Sequence, residues 1–305
     1  MGQARSRASS RGRGYGEGGR VVRMATESAK LTVRTVPRTG ELLPAVGLGT
    51  WRTFDVGADT ARRAGPRAVL SEFAQAGARV VDSSPMYGSS ESVVGDLVCE
   101  LGLGGRLFLA TKVWVEGREQ GVRQMEESLR RLRVSCVDLM QIHNLVDWPV
   151  HLRTLRAWKE QGRVRYVGVT HYSESAYSEL ERAIRTGDVD FLQVNYSLAS
   201  TAAERRLLPL AQERQVAVLV NRPFEEGALL ERLRSRPLPP WASEFECASW
   251  AQLLLKFVLS HPAVTCVIPA TDKREHARDD LQAGRGLQPD AAARAKMLRW
   301  LSREP

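Results

Sequence analysis

Cysteine is scarce in this chain. The four present, Cys99, Cys136, Cys247 and Cys266, lie far apart with no Cys-x-x-Cys spacing and no neighbouring pair of histidines. That excludes the usual zinc spacings and argues against a disulfide framework, leaving reduced thiols in a cytoplasmic protein as the expectation. No run of 18 apolar residues occurs, so no membrane-spanning helix is expected. The first residues contain no apolar segment flanked by a basic start and a small-residue cleavage site, which excludes a secretory signal. A basic stripe interleaved with aromatics is also missing, so nucleic acid is not an expected partner. The formal net charge is +9, but residues 1–30 hold seven bases against two acids, and the remainder of the chain is therefore only +4.

Residues 1–30 are rich in Gly, Arg and Ser and have no hydrophobic periodicity. Such a segment cannot bury enough apolar surface to offset its ordering entropy, and a disordered basic tail is expected. An equally plain reading starts translation at Met24. Met1-Gly2 with Ser6 also fits the loose myristoylation pattern, and the Arg/Ser bias fits an organelle transit peptide, but both patterns are common by chance.

From residue 31 onward the chain reads as one domain, 31–305. Two alternating segments, 31–37 and 41–46, flank a turn carrying Pro37 and Gly40 and predict a β-hairpin. Eight short apolar runs follow, at 46–49, 78–82, 107–113, 137–142, 164–169, 191–195, 216–220 and 265–268. Amphipathic stretches predict helices over 67–75, 91–100, 122–132, 152–160, 174–186, 203–214, 250–259 and 291–302. Eight strand–helix units in roughly 250 residues predict an α/β fold, a closed (β/α)8 TIM barrel, and near-continuous apolar strands suit a parallel sheet covered on both faces. The competing doubly wound sheet would normally carry a Gly-x-Gly-x-x-Gly turn after its first strand, and Gly47-Leu-Gly49-Thr50-Trp51 lacks the third glycine. A long insert at 221–246, with Pro237, Pro239 and Pro240, would lie on the active-site face after the seventh strand.

Chemistry in a barrel belongs at the C-terminal ends of its strands. Asp82, Lys112 and His143 end the second, third and fourth runs, and Tyr87 follows Asp82 by five residues. Singly, each has an ordinary explanation: an Asp that caps a helix, a solvated Lys, an interior His. Together at successive strand ends they suggest proton transfer. A tyrosine hydroxyl has a reference pKa of about 10, a nearby ammonium lowers it, and a buried lysine needs a counter-charge such as Asp82. The histidine would orient a carbonyl oxygen beside the tyrosine.

At these residues the chain resembles the aldo-keto reductases. The matching stretches are Gly47-Leu-Gly-Thr-Trp51, Val81-Asp-Ser-Ser-Pro-Met-Tyr-Gly-Ser-Ser-Glu91, Thr111-Lys-Val-Trp114, Asp138-Leu-Met-Gln-Ile-His143, Gly168-Val-Thr170, Gln193-Val-Asn-Tyr196 and Ile268-Pro-Ala-Thr271, in order along nearly the whole domain. The resemblance implies an NAD(P)H-dependent oxidoreductase that reduces aldehyde or ketone carbonyls, with Asp82, Tyr87, Lys112 and His143 as the catalytic tetrad and Tyr87 as general acid. It implies cofactor contacts from Gly49, Thr50 and Trp51, from Thr170, His171 and Gln193 at the nicotinamide, and from Thr271, Lys273 and His276 at the adenosine phosphate. NADP(H) is the expected cofactor and NAD(H) the alternative; no metal is expected. Asn221 takes the position where the family often stacks an aromatic on the nicotinamide, and Phe224 is a nearby ring that could serve instead. Asp280 stands where the family usually has Asn at the adenine.

Trp51, Trp114 and Trp148 are expected at the pocket wall, which suits an apolar or aryl carbonyl substrate. Because the final helical pattern ends at 302, no long C-terminal tail is expected over the pocket, and broad substrate tolerance follows. A monomer is slightly favoured. The alternative function is a cofactor-binding regulatory or redox-sensing subunit on the same fold. A barrel lyase or isomerase is disfavoured because it gives Tyr87, Lys112 and Gln193 no shared purpose.

Overall fold

The computed structural model describes residues 30–302; the expectations for the basic tail lie outside that range. A two-stranded antiparallel hairpin, β1 (Val33–Thr35) and β2 (Leu42–Pro44), opens the described chain. Eight parallel strands follow: β3 (Leu48–Gly49), β4 (Val80–Asp82), β5 (Phe108–Val113), β6 (Val137–His143), β7 (Val164–His171), β8 (Phe191–Asn195), β9 (Ala217–Asn221) and β10 (Val264–Val267). They hydrogen-bond in sequence order. The ring closes where Gly47 N–H donates to Val267 O at 2.8 Å, Val267 N–H to Ala45 O at 2.9 Å and Gly49 N–H to Pro269 O at 2.8 Å. Gly49 is required at this seam, because a Cβ there would lie 2.8 Å from Ile268 O.

The helices between strands are α1 (Thr60–Gln75), α2 (Ser90–Glu100), α3 (Arg118–Leu132), α4 (Trp148–Glu160), α5 (Tyr177–Arg185), α6 (Leu207–Glu213), α7 (Ala228–Leu233), α8 (Trp250–Leu259), α9 (Arg274–Ala283) and α10 (Ala291–Ser302). Their apolar faces pack on the outward strand residues, for example Val69, Leu70 and Phe73 of α1 and Leu253, Leu254 and Phe257 of α8.

Several helix expectations need correction. Helix α1 begins at Thr60 rather than 67. Asp59 caps it, accepting from Ala61 N–H at 2.9 Å and Arg62 N–H at 3.2 Å, and four buried residues outweigh the bond lost at Pro66. Helix α3 begins four residues before its expected start. The predicted helices over 174–186 and 203–214 each open as a 3₁₀ turn before α5 and α6. The insert at 221–246 is not a bare loop, since it holds α7 between the 3₁₀ segments Glu225–Gly227 and Pro240–Phe245. Helices α7 and α9 are additional to the eight expected.

The strand interior shows why the site lies where it does. Side chains alternate along a strand, so every second residue points inward. The inward set starts apolar: Val80, Phe108, Leu139, Tyr166, Phe191, Ala217 and Cys266 form one buried cluster, joined from below by Val36 and Leu43 of the hairpin. Two and four residues further on the same parity gives Asp82, Lys112, Gln141, His143, Thr170, Gln193 and Asn221. The barrel is thus an apolar plug at its N-terminal end and a polar layer at the other. Strand register aligns that layer: Lys112 pairs with Gln141, His143 with Thr170, and Thr170 with Gln193.

Candidate active site

The centre of the polar layer is an ion pair withdrawn from water. Lys112 is fully buried and Asp82 is 3% exposed. The ammonium has three donors. Two of them reach Asp82 Oδ2 at 2.6 Å and the Ser83 carbonyl at 2.7 Å, and the Tyr87 side chain lies beside the ammonium. Burial works to depress the lysine pKa, but Asp82 and Tyr87 more than reverse it, so the net direction is upward and the ammonium is retained.

The other carboxylate oxygen of Asp82 accepts from Gln141 Nε2 at 2.8 Å and Gln193 Nε2 at 2.9 Å. Gln193 Oε1 accepts in turn from Thr170 Oγ1 and Asn221 Nδ2, both at 3.2 Å. The negative charge is therefore spread over an amide network running from β4 to β9. Gly168 makes room for it: a Cβ there would lie 2.9 Å from Gln141 Cγ. Gln141 was not among the residues expected at the site. The signal was available in its parity with His143, two residues later on β6.

Tyr87 sits above the pair on the turn leading into α2, with Lys112 Nζ 5.0 Å from the centre of its ring. Its ring meets His143 edge-on, with centroids 6.0 Å apart. Here one expectation is corrected. Lys112 does pull the Tyr87 pKa down, but burial is the larger effect and Asp82 adds to it, so the hydroxyl is held above its ordinary 10.0. The group is a protonated donor at neutral pH. Burial, with Lys112 and His171, brings His143 down to about 3, so the imidazole is neutral.

These groups edge a cavity of about 1330 Å³. Asp82, Tyr87, His143, Thr170, Gln193 and Asn221 line it together with Gly49, Thr50, Trp51 and Trp114; Thr271, His276 and Asp280 line it along the loop after β10 and α9. Trp51 and Trp114 are each 37% exposed, so their rings stand partly open to solvent.

Three residues expected at the site stand apart from the cavity wall. Trp148 begins α4, and its indole N–H donates to Glu179 Oε1 at 2.5 Å, so it joins α4 to α5. The His171 ring stacks on Tyr172 and accepts from Ser173 N–H at 3.0 Å, which turns it into its own loop. Lys273 occupies the N-cap position of α9 with its side chain exposed and making no capping bond, while its backbone N–H donates to Thr271 Oγ1 at 3.1 Å. Asn221 is committed to Gln193 through its Nδ2, and Phe224, three residues later, is a ring that lines the cavity.

The wall also holds buried polar atoms with no hydrogen-bond partner among the described residues: Asn221 Oδ1, Arg222 Nε and Thr53 Oγ1. A buried polar atom left unpaired is costly. An acceptor, a guanidinium N–H and a hydroxyl left unpaired on residues that line one cavity fit a ligand that carries an amide and anionic groups. Arg222 was not expected from sequence. It and Glu226, joined at 3.1 Å, both have positive φ, a strain concentrated in the segment after β9.

The aldo/keto reductase family model matches residues 45–297. Methylglyoxal reductase YeaE of Escherichia coli K12 is 31% identical over 233 residues, covering 74% of this chain and 80% of that one. Methylglyoxal reductase DkgB of Escherichia coli O157:H7 is 26% identical over 265 residues, 82% of this chain and 90% of that one. Among solved structures, an aldo/keto reductase from Klebsiella pneumoniae in complex with NADP and acetate superposes with a TM-score of 0.76 at 28% identity, covering 89% of this chain and 95% of that one. The barrel, the buried Asp82–Lys112 pair beneath Tyr87 and His143, and these matches lead to one assignment: the chain belongs to the aldo/keto reductase family.

Proposed function

We propose that this chain reduces aldehyde or ketone carbonyls with NADPH, and that Tyr87 is the proton donor. One observation carries the reading: a tyrosine and a histidine meet edge-on at the wall of one cavity, beside a buried lysine that is paired with Asp82 and lies 5.0 Å from the tyrosine ring. Solved relatives bound to NADP and NADPH support the cofactor, and the methylglyoxal reductases support a small carbonyl substrate.

When bound, the cofactor would supply the hydride for reduction of the carbonyl carbon. The residues supply the rest. Asn221 Oδ1 and Thr170 are suited to hold a carboxamide, Arg222 an anionic group, and Thr271 with His276 the adenosine phosphate. His143, being neutral, can donate one hydrogen bond to the carbonyl oxygen and fix its position beside Tyr87. As the oxygen gains charge it takes the phenolic proton. The tyrosinate left behind is stabilised by the Lys112 ammonium, whose charge beside the ring already favours the ionised form. Burial therefore keeps Tyr87 charged with its proton before the step, and Lys112 eases the release.

The chain is an oxidoreductase in this reading. The regulatory-subunit alternative draws no support from the relatives found. The test is NADPH consumption on a panel of short-chain and aryl aldehydes, wild type beside Tyr87→Phe. The expected result is turnover that falls by about 10²–10⁴ in the variant, the usual contribution of a general acid, while NADPH affinity is kept. Full activity in Tyr87→Phe would refute the assigned donor. NADPH binding without turnover on any carbonyl would refute the reductase.

A further inference from the structure

The tetrad leaves a question open: what decides which nitrogen of His143 carries the proton. A neutral imidazole has one donor and one acceptor nitrogen, and the hydrogen bond made by one fixes the role of the other. Only a protonated Nε2 or a protonated Nδ1, whichever faces the substrate, can donate to its oxygen.

Ser84 is fully buried, two residues after Asp82 and three before Tyr87, and does not line the cavity. Its side-chain oxygen has two recorded partners among the described residues. One is Met86 N–H at 3.2 Å, which can only donate. The other is His143 Nδ1 at 3.2 Å. The Ser84 hydroxyl proton therefore has a single acceptor within reach, the Nδ1 lone pair. If Nδ1 carried the proton instead, it would point at an oxygen already accepting from Met86, and the serine proton would be buried with no acceptor. A buried donor without an acceptor is the costlier arrangement.

We propose that Ser84 is a positioning residue for the carbonyl reduction: its hydroxyl donates to His143 Nδ1 and holds the imidazole in the tautomer whose Nε2–H is the ring's free donor. The inference rests on the reductase reading for its consequence but not for its geometry. It also gives the segment 82–87 a common purpose. Asp82 and the Ser83 carbonyl hold Lys112, Ser84 holds His143, and Tyr87 supplies the proton. One short stretch after β4 thus sets the protonation pattern of groups contributed by β5 and β6.

The experiment labels the five histidines of the full chain with ¹⁵N and reads the tautomer of each ring from two-bond ¹⁵N–¹H correlations, with the His143 signals assigned by their loss in His143→Asn. The wild type is expected to show the Nε2–H form at His143. In Ser84→Ala the Nδ1–H form should gain population and kcat should fall roughly tenfold, less than removing an oriented donor outright, with the KM for NADPH unchanged. Ser84→Cys, a weaker donor of similar size, should fall between the two. A wild-type His143 protonated on Nδ1 would overturn the proposal without any variant being needed. So would a Ser84→Ala protein whose kcat drops while its tautomer stays as in the wild type, which would leave Ser84 as packing alone. The ring signals are read whether or not the enzyme turns over, so failure of the reductase reading would be seen separately in the Tyr87→Phe assay.

Discussion

Removing the carboxylate from Asp82 should destabilise the barrel in a way that depends on pH. In Asp82→Asn the isosteric amide can still accept one hydrogen bond, but Lys112, fully buried, loses its counter-charge. Breaking a buried pair by deleting one partner costs about 3–5 kcal/mol, a large share of the roughly 5–15 kcal/mol that holds a typical domain together. In the wild type, Lys112 is held above its ordinary 10.5, so the pair contributes fully at neutral pH and is lost only as pH rises through that elevated value. In the variant burial acts unopposed by Asp82 and depresses the lysine. The unfolded chain then binds the proton more readily than the folded one, and stability rises with pH. Urea denaturation followed by circular dichroism at pH 6 and pH 9 measures this. Asp82→Asn should lose more stability at pH 6 than at pH 9, and the double variant Asp82→Asn/Lys112→Met should recover much of the loss at pH 6. A loss under about 1 kcal/mol, or one that is the same at both pH values, would refute the claim that this charge is buried and paired.

Other outcomes follow from the same geometry. With His143 at about 3, kcat should show no titration near the ordinary histidine value; a pH–rate profile with an inflection between pH 6 and 7 lost in His143→Gln would contradict this. Burial, with Asp279 beside it, raises the Asp280 carboxyl well above its usual range. A raised carboxylate pKa weakens the folded state as pH climbs above about 4, so Asp280→Asn should raise the thermal midpoint at pH 7 and do so less at pH 4. Gly168→Ala places a Cβ 2.9 Å from Gln141 Cγ and should cost about 1–3 kcal/mol by overpacking, read as a lower urea midpoint with an unchanged slope. Arg294 on α10 donates to the Phe257 carbonyl at 2.6 Å and Ser260 Oγ at 2.7 Å and also pairs with Glu204; Arg294→Leu should loosen α10 and raise its amide exchange by tenfold or more, about 1.4 kcal/mol.

Much of the architecture was written in the pattern of the chain. Alternation and the turn around Gly40 marked the hairpin, eight apolar runs marked the strands, and strand-end positions singled out Asp82, Lys112 and His143 before any fold was known. These signals are local, because strand period, turn chemistry and the placement of polar residues after apolar runs are set by near neighbours. Where the local signal misled, a longer-range contact had won. The amphipathic pattern put the first helix at 67–75, and the Asp59 cap and packing against the barrel start it earlier, at Thr60, while a proline-rich insert concealed α7.

The sequence alone determined which residue types face the barrel interior and at which end the polar ones gather. Only the tertiary structure decided what each of them does. Trp148 follows its strand as Trp114 does, yet its indole is taken up by Glu179. Gln141 looked like an ordinary strand residue until closure of the ring brought it to Asp82. Whether Lys112 or burial governs Tyr87 could not be read from chemistry alone, since both act and only their balance in three dimensions gives the direction. Hydrogen-bond partners across strands are fixed by register and closure, and desolvation by the whole surrounding shell. Neither quantity is local to any stretch of the chain.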